Sequence, residues 1–500
     1  MADDHNSGQP ALPGRRLALG AVLAFVACLA TVVLLSCAEV RAAEPEVSPD
    51  GDANFTKEVV DIAAEGQGDE GGMPPVIEPP HFARYKKPLP DILLKYKREG
   101  FYFTPFPIIA WDPDTQFNIG AAAAFFQNGK KDNPFFRITP YRWLMSAQAL
   151  VSTGGVFQVL NYFDMPYVMG TPWRVRAEVD VFRNPYKNYF GIGSQGQQLT
   201  FPGTGQVFGS YSDYTSALNQ QSGGFTNERY DQYGYSRVMF RGQAEYDLVG
   251  GYIRPLFGIQ ISRIWIDDYT GDGVSGAIQN QTHLQADCLS GRALDCNGGW
   301  DNLIKLGISF DTRDFEPSPK RGIFWELTTE LSPTFLGSVS NYGRLTTDIR
   351  AYGEIIDWKN QLVVLAGRFY YGWQFGDVPF FSMNTLSFTD RNRTGLGGFR
   401  SIRGYRLDRF IGPVQLLANM ELRWSFYDFT VWKQNIRLGL KPFLDVGRTF
   451  DSNSAITFAG WHPGGGAGLM LAWNLSTVIS FDMAWSAEGS TFYMEADLQF

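Results

Sequence analysis

Residues 396–424 read LGGFRSIRGYRLDRFIGPVQLLANMELRW. The first half sets Arg400, Arg403, Arg406 and Arg409 at every third position among glycines and aromatics, with neither a helical nor a strand period. The second half alternates strictly. Val414, Leu416, Ala418, Met420, Leu422 and Trp424 fall on one face, and Gln415, Leu417, Asn419, Glu421 and Arg423 on the other. A half-polar strand fed by a long, arginine-studded loop is an odd design for a soluble sheet. It suits a barrel whose outside meets hydrocarbon and whose inside is wet.

From about residue 100 onward the period-two pattern persists. Alternating segments between turn residues predict strands near 100–112, 115–127, 135–149, 153–165, 172–184, 230–249, 251–267 and 300–313. They continue near 322–334, 340–357, 360–375, 414–428, 435–450, 462–473, 475–487 and 490–500. These segments make a 16-stranded antiparallel transmembrane β-barrel, an even count as bacterial single-chain barrels require. The long connectors, 185–229, 268–299 and 376–413, all follow odd-numbered strands; those after even-numbered strands are short, as at Asp357-Trp358-Lys359-Asn360. A membrane barrel sorts its loops to one rim, and a soluble sandwich has no reason to.

The faces segregate as the barrel demands. In 323–331 the outward set is Ile323, Trp325, Leu327, Thr329 and Leu331, with Glu326 and Glu330 facing the lumen. In 477–485 the outward set is Thr477, Ile479, Phe481, Met483 and Trp485, with Ser480 and Asp482 opposite. A lipid-facing lysine or arginine costs about 2–4 kcal/mol at the midplane, so the charged face is the inner one. Pro442, inside the thirteenth segment, removes a ladder donor and predicts a bulge there. The last segment puts Phe492, Met494, Ala496, Leu498 and Phe500 on one face, resembling the C-terminal aromatic signal by which outer-membrane barrels are assembled.

Composition narrows the class further. Aromatics make up 15% of the chain and glycine 54 of 500 residues, a pairing that suits many strands, tight turns and aromatic girdles. A net charge of −8 argues against a nucleic-acid partner. No apolar run after residue 40 approaches the roughly 18 residues of a spanning helix. Arg15 and Arg16, the apolar run 17–35 and Val40-Arg41-Ala42-Ala43 have the layout of a secretory signal over 1–43; Leu34-Leu35-Ser36-Cys37 offers the rival of lipoprotein cleavage at Cys37. Residues 44–99 read as a linker, acidic and disordered at first. Over 81–99 it turns basic, either a small helix at the membrane surface, a segment tucked under the barrel, or a solvated linker. The barrel domain follows over 100–500.

Cys288 and Cys296 share one Gly/Asn-rich segment with no metal-site partners, so they read as a disulfide in an oxidising compartment or as two free thiols. No catalytic constellation stands out. The histidines (His5, His81, His283, His462) are scattered, no G-x-S-x-G elbow occurs, and the G-x-G-x-x-G matches at 191–196 and 271–276 open no helix after a parallel strand. Asp267, Asp268 and Asp272 lack the remaining ligands of a calcium loop. No enzyme, metal or cofactor is expected.

Four segments in order carry a family resemblance: Gly397-Gly398-Phe399-Arg400-Ser401-Ile402-Arg403-Gly404-Tyr405, Glu421-Leu422-Arg423-Trp424, Phe443-Leu444-Asp445-Val446-Gly447, and, upstream, 306–314 with its Arg313-Asp314 turn and Gly322. Together they resemble the Omp85 superfamily, the BamA/TamA-like surface-antigen barrels, over roughly residues 100–500. The resemblance implies a loop between strands eleven and twelve that folds into the lumen. It also implies that Arg403, beside Gly404 and Tyr405, pairs with Glu421 and Asp445 as a lock; both acids lie on inward faces by alternation. For the remaining loop arginines, lipopolysaccharide contact or plain solvation is the alternative, and it is the preferred reading for Arg391 and Arg393. The family's assembly members carry periplasmic POTRA domains, and none fits within 44–99.

The expected location is the bacterial outer membrane, with the N-terminus periplasmic. The expected role is assembly or translocation of outer-membrane proteins or lipids. A passive pore or structural barrel that keeps the loop lock is the alternative. Expected partners are outer-membrane lipids and lipopolysaccharide, with unfolded outer-membrane proteins as clients or a separate periplasmic partner.

Overall fold

The alternating segments close into a barrel in the computed structural model. It describes residues 73–500 apart from 90, 92–93, 95–96, 221–225, 270–280, 317, 360, 391, 432–433, 474–476 and 496–499. The signal, the acidic part of the linker, Asp272, the second glycine match, Arg391, Ala496 and Leu498 lie outside the described residues.

Sixteen strands run in sequence: β1 (Phe101–Asp112), β2 (Gln116–Gln127), β3 (Trp143–Ser152), β4 (Phe157–Met165), β5 (Trp173–Asn188), β6 (Gln232–Tyr246), β7 (Ile253–Asp267) and β8 (Leu303–Asp311, preceded in the same ladder by Gly298–Trp300). They continue with β9 (Gly322–Ser332), β10 (Tyr342–Trp358), β11 (Gln361–Gly376), β12 (Val414–Val431), β13 (Gln434–Phe450), β14 (His462–Trp473), β15 (Thr477–Ser486) and β16 (Gly489–Glu495). Each pairs antiparallel with its sequence neighbours, and β1 closes on β16 through Trp111↔Met494 among the described residues. The long connectors 189–231, 268–302 and 377–413 follow β5, β7 and β11, so they gather on one rim. No described helix is long and apolar enough to cross a membrane; the strands are what cross.

Burial follows the alternation. On β9, Phe324, Glu326, Thr328 and Glu330 are buried in the lumen, with intermediate or exposed residues between them. On β7, Phe257, Ile259, Ile261 and Trp265 are exposed on the outer surface, and Leu256, Gln260, Ser262 and Ile264 are buried. Hydrophobic burial in such a barrel comes from lipid outside and from inserted loops inside.

Two expectations need correction. The predicted strand near 135–149 begins at Trp143 instead, because Phe135 and Phe136 turn away from the ladder. Phe135 packs against Ala83 and Tyr167, and Phe136 is fully buried. A run of buried aromatics imitates a strand when its burial comes from another chain segment. At Pro442 the β12–β13 register is the same on both sides, Glu421↔Phe443 and Trp424↔Leu440. The proline interrupts pairing with β12 while keeping Pro442↔Ala467 towards β14; the bulge lies at Phe426, where the register shifts.

The segment before β1 crosses the turns that follow the even-numbered strands. Of the three readings of 81–99, the described residues take the one tucked under the barrel. Tyr85 N donates to Gly250 O at 3.1 Å and its ring stacks on Tyr252 with centroids 5.1 Å apart. Leu89 N donates to Arg137 O at 2.7 Å, and Lys97 Nζ donates to Phe136 O and Thr139 O, both at 2.6 Å. Lys97→Met removes both lysine bonds, each worth about 1 kcal/mol net. Limited trypsin digestion is expected to cut before β1 faster in this variant, with the barrel fragment still resistant.

Candidate functional site

The connector 377–413 does not stay on the rim. It folds into the lumen, where Leu386, Phe388, Leu396, Ile402, Tyr405 and Phe410 form an apolar cluster with Tyr370 of β11 and Leu417 of β12. Glycines set its path. Gly397, Gly398 and Gly404 have φ of +112°, +84° and +99°, a region that favours glycine over residues with a Cβ. Opposite them β14 carries Gly464, Gly465, Gly466 and Gly468; a Cβ on Gly464 would lie 2.0 Å from Arg403 O. The missing side chain of Gly464 leaves a trough that the loop backbone fills at Arg403.

At the bottom of that trough Arg403 is fully buried. Its Nε and Nη2 donate to the two Asp445 oxygens at 2.7 and 2.9 Å, a forked pair, and its main-chain N donates to Asp445 Oδ2 at 3.1 Å. Nη1 donates to Glu421 Oε1 at 2.8 Å and to Asp482 Oδ2 at 3.0 Å. The guanidinium carbon lies 3.4 Å from the centre of the Phe443 ring. Lys441 Nζ is 3.0 Å from Asp482, and Arg423 Nε donates to Glu421 Oε2 at 2.9 Å. Three cations thus face three carboxylates, the balance a buried cluster needs. Asn419 joins wall to loop, donating to Asp445 Oδ1 at 2.8 Å and Ser401 O at 2.7 Å.

The fold has an inward loop between the eleventh and twelfth strands, and its arginine grips three wall strands, β12, β13 and β15. The Omp85 superfamily domain matches residues 145–499. The chain belongs to the Omp85 superfamily. A domain of unknown function (DUF5982) matches residues 80–142, which hold the segment under the barrel and the first two strands. No curated protein matches the sequence. Similar solved structures include BamA from Haemophilus ducreyi lacking POTRA domains 1–3, at 12% identity and TM-score 0.46, covering 80% of this chain and 70% of that one. CdiB from Escherichia coli matches at 11% identity and TM-score 0.48, covering 80% of this chain and 63% of that one, less than two thirds of its length.

In this Omp85 outer-membrane barrel Arg406 and Arg409 of the same loop are also occupied. Arg406 Nη1 lies 3.7 Å from Asp114 Oδ1, and Leu407 N donates to Asp114 Oδ2 at 2.7 Å. Arg409, fully buried, donates through Nε to Glu488 Oε1 at 2.9 Å, and its guanidinium lies over the Phe190 and Phe410 rings. Gly404 N donates to Tyr493 Oη at 3.3 Å, and that hydroxyl donates to Tyr405 O at 3.1 Å. The reading of these arginines as lipopolysaccharide contacts or solvated side chains therefore fails for Arg406 and Arg409. Arg393 sits inside as well, 3.3 Å from Asp390.

Asp114 occupies the β1–β2 turn, where burial pushes its carboxyl up to about 6 despite Arg406. Between about pH 4 and 6 the folded chain holds a proton that the unfolded chain has released, so this group's contribution to stability falls as pH rises through that window. Asp114→Asn is expected to flatten that part of the curve of urea midpoint against pH.

Sequence reasoning missed Asp482, Lys441, Arg423 and Tyr493 as members of the site. Asp482 carried a signal, since alternation puts it on the inward face. The glycine run of β14 was a second, unread one. Cys288 and Cys296 are bonded to each other and pack against the apolar cluster of Tyr189, Leu284 and Phe380 near the long-loop rim. Phe492 and Phe500 do not share a face. Phe492 is exposed against Trp111 at 5.7 Å between ring centroids, whereas Phe500 O accepts from Arg423 Nη2 at 2.7 Å inside the lumen.

Proposed function

We propose that this barrel assists the insertion or export of other outer-membrane proteins or lipids, and that the buried arginine of its inward loop is a lock with no chemistry of its own. One observation carries the reading. A single loop is clamped to the wall by Arg403 and bonded to both hairpins that flank the β1–β16 closure, through Asp114 on one side and Glu488 on the other. That arrangement makes the closure respond to the loop, which a barrel acting on clients in the membrane requires and a plain pore does not. The clients are unfolded outer-membrane proteins or lipids, and a separate periplasmic protein is the natural source of client docking. Motion of the loop and the closing strands gates such a process, and nothing in it needs a cofactor.

The test uses the purified chain refolded into liposomes. Insertion of an unfolded outer-membrane protein is followed by protease protection, with ion conductance recorded on the same preparation. Accelerated insertion with small, flickering conductance is expected. Large, steady conductance without acceleration would replace this reading with a passive pore.

A further inference from the structure

Between Asp390 of the inward loop and Glu316 of the β8–β9 turn the lumen keeps a cavity of about 350 Å3. Five arginines line it: Arg176, Arg254, Arg313, Arg350 and Arg393. Three side-chain carboxylates share the lining with Phe500, and each is engaged: Glu245 by Arg176, Glu316 by Arg254 at 3.2 Å, and Asp390 by Arg393 at 3.3 Å, while Phe500 O accepts from Arg423 at 2.7 Å. Three acids behind the lining serve two arginines each, Asp164 holding Arg174 at 2.6 Å and lying 3.6 Å from Arg176. Asp311 holds Arg254 at 2.6 Å and Arg313 at 2.9 Å; Asp348 holds Arg350 at 2.6 Å and Arg368 at 2.9 Å. The side chains of the lining itself are thus richer in guanidinium than in carboxylate, and the acids around it are already engaged.

Donors are left over. Arg254 is 4% exposed, and its Nε has no hydrogen-bond partner within the protein; Arg176 Nε makes no hydrogen bond either, its nearest acid Asp164 lying 3.6 Å away. Native interiors rarely leave such donors unmet, and a buried guanidinium prefers an acceptor that carries charge. The field at the loop tip agrees. Burial lowers Arg393 to about 10, and the positive charges of Arg400, Arg350 and Arg368 add to that effect against the opposing pull of Asp390. A negative group entering the space would meet a wall carrying five guanidinium groups.

We propose that this cavity is a binding site for a phosphate group, held between Arg393 on the loop tip and Arg176 and Arg254 on the wall. Planar guanidinium forks match the oxygens of a phosphate, and the cavity has room for one with its waters. The phosphate is that of the free ion or of a lipid headgroup. The site lies apart from the Arg403 clamp and does not depend on the insertion reading.

The experiment titrates inorganic phosphate into the intact barrel in a phosphate-free, uncharged detergent, followed by calorimetry and 31P line broadening. Short-chain phosphatidic acid is then added as competitor. Arg176→Gln and Arg393→Gln are compared with Arg263→Gln, an arginine stacked near Trp265 away from the cavity. Folding of every variant is checked by heat-modifiable migration. Saturable binding is expected, weakened about tenfold or more by each cavity variant, as loss of one charge-assisted bond implies, and unchanged in Arg263→Gln. Displacement by phosphatidic acid would assign the site to a headgroup, and its failure to displace would assign it to the free ion. Absence of binding in the unaltered barrel, or equal binding in folded Arg176→Gln and Arg393→Gln, would overturn the proposal.

Discussion

Arg403→Ala is expected to cost the folded barrel about 3–5 kcal/mol, the range for breaking a buried ion pair from one side. The side chain supplies four hydrogen bonds to Asp445, Glu421 and Asp482, and all four residues are fully buried. Truncation leaves Lys441 and Arg423 to balance three carboxylates, and Asp445 keeps Asn419 and the main-chain N of residue 403 as its only remaining donors in the network. The readouts are heat-modifiable migration and protease resistance of the 377–413 loop; an unaltered pattern for both would remove Arg403 from the role of lock. Arg403→Lys is expected to behave almost as badly, since one ammonium cannot fork across Asp445 while also reaching Glu421 and Asp482. Adding Asp445→Asn to Arg403→Ala is expected to recover part of the loss, because it removes the carboxylate left without a cation, whereas Glu421 keeps Arg423. Such a partial rescue separates electrostatic imbalance from simple loss of packing.

Gly464→Val tests the same seat from the opposite side. A Cβ at this position would lie 2.0 Å from Arg403 O, a distance no rotamer change relieves because both atoms are fixed to backbone. Overpacking of this kind costs about 1–3 kcal/mol when neighbours can shift, and here the cheapest shift is for the loop to leave the trough. Gly464→Val is therefore expected to make the loop protease-sensitive while every charged partner remains present. Gly465→Val is the control, since its Cβ would find no atom nearer than 3.6 Å, and it is expected to resemble the unaltered protein. Equal resistance of the two variants would mean that the glycines of β14 do not shape the seat.

The contrast between strands and site explains what the sequence could disclose. Lipid outside and polar lumen inside impose a two-residue period on every strand, so Glu326, Glu421, Asp445 and Asp482 could all be assigned to the inner face from local pattern. Choosing among inward acids requires the register between strands, and period two is blind to it. Asp482 was thus legible as lumenal and not as a partner of Arg403. Arg406 and Arg409 were less legible still, because their partners sit in the turns at Asp114 and Glu488, where no alternation applies. The strand edge misjudged near 135 has a related cause. Phe135 is buried by Ala83 and Tyr167, and Phe136 lies under Lys97; burial by distant segments leaves the same apolar trace as burial in a ladder.

The ties to Asp114 and Glu488 also bear on how the molecule comes into being. Leu407 bonds to a residue 293 positions earlier, and Arg409 to one 79 positions later, so the loop's contacts reach from the first hairpin to the last. Contacts of such separation form late, after the intervening chain has surrendered its freedom. The loop cannot complete its seat until the first and last hairpins stand side by side. A barrel stalled before its final hairpin, with fourteen strands paired, would hold this loop by only part of its bonds. Seating of the loop is therefore the event that records circularisation, and its protease resistance serves as a clock for the last step of folding.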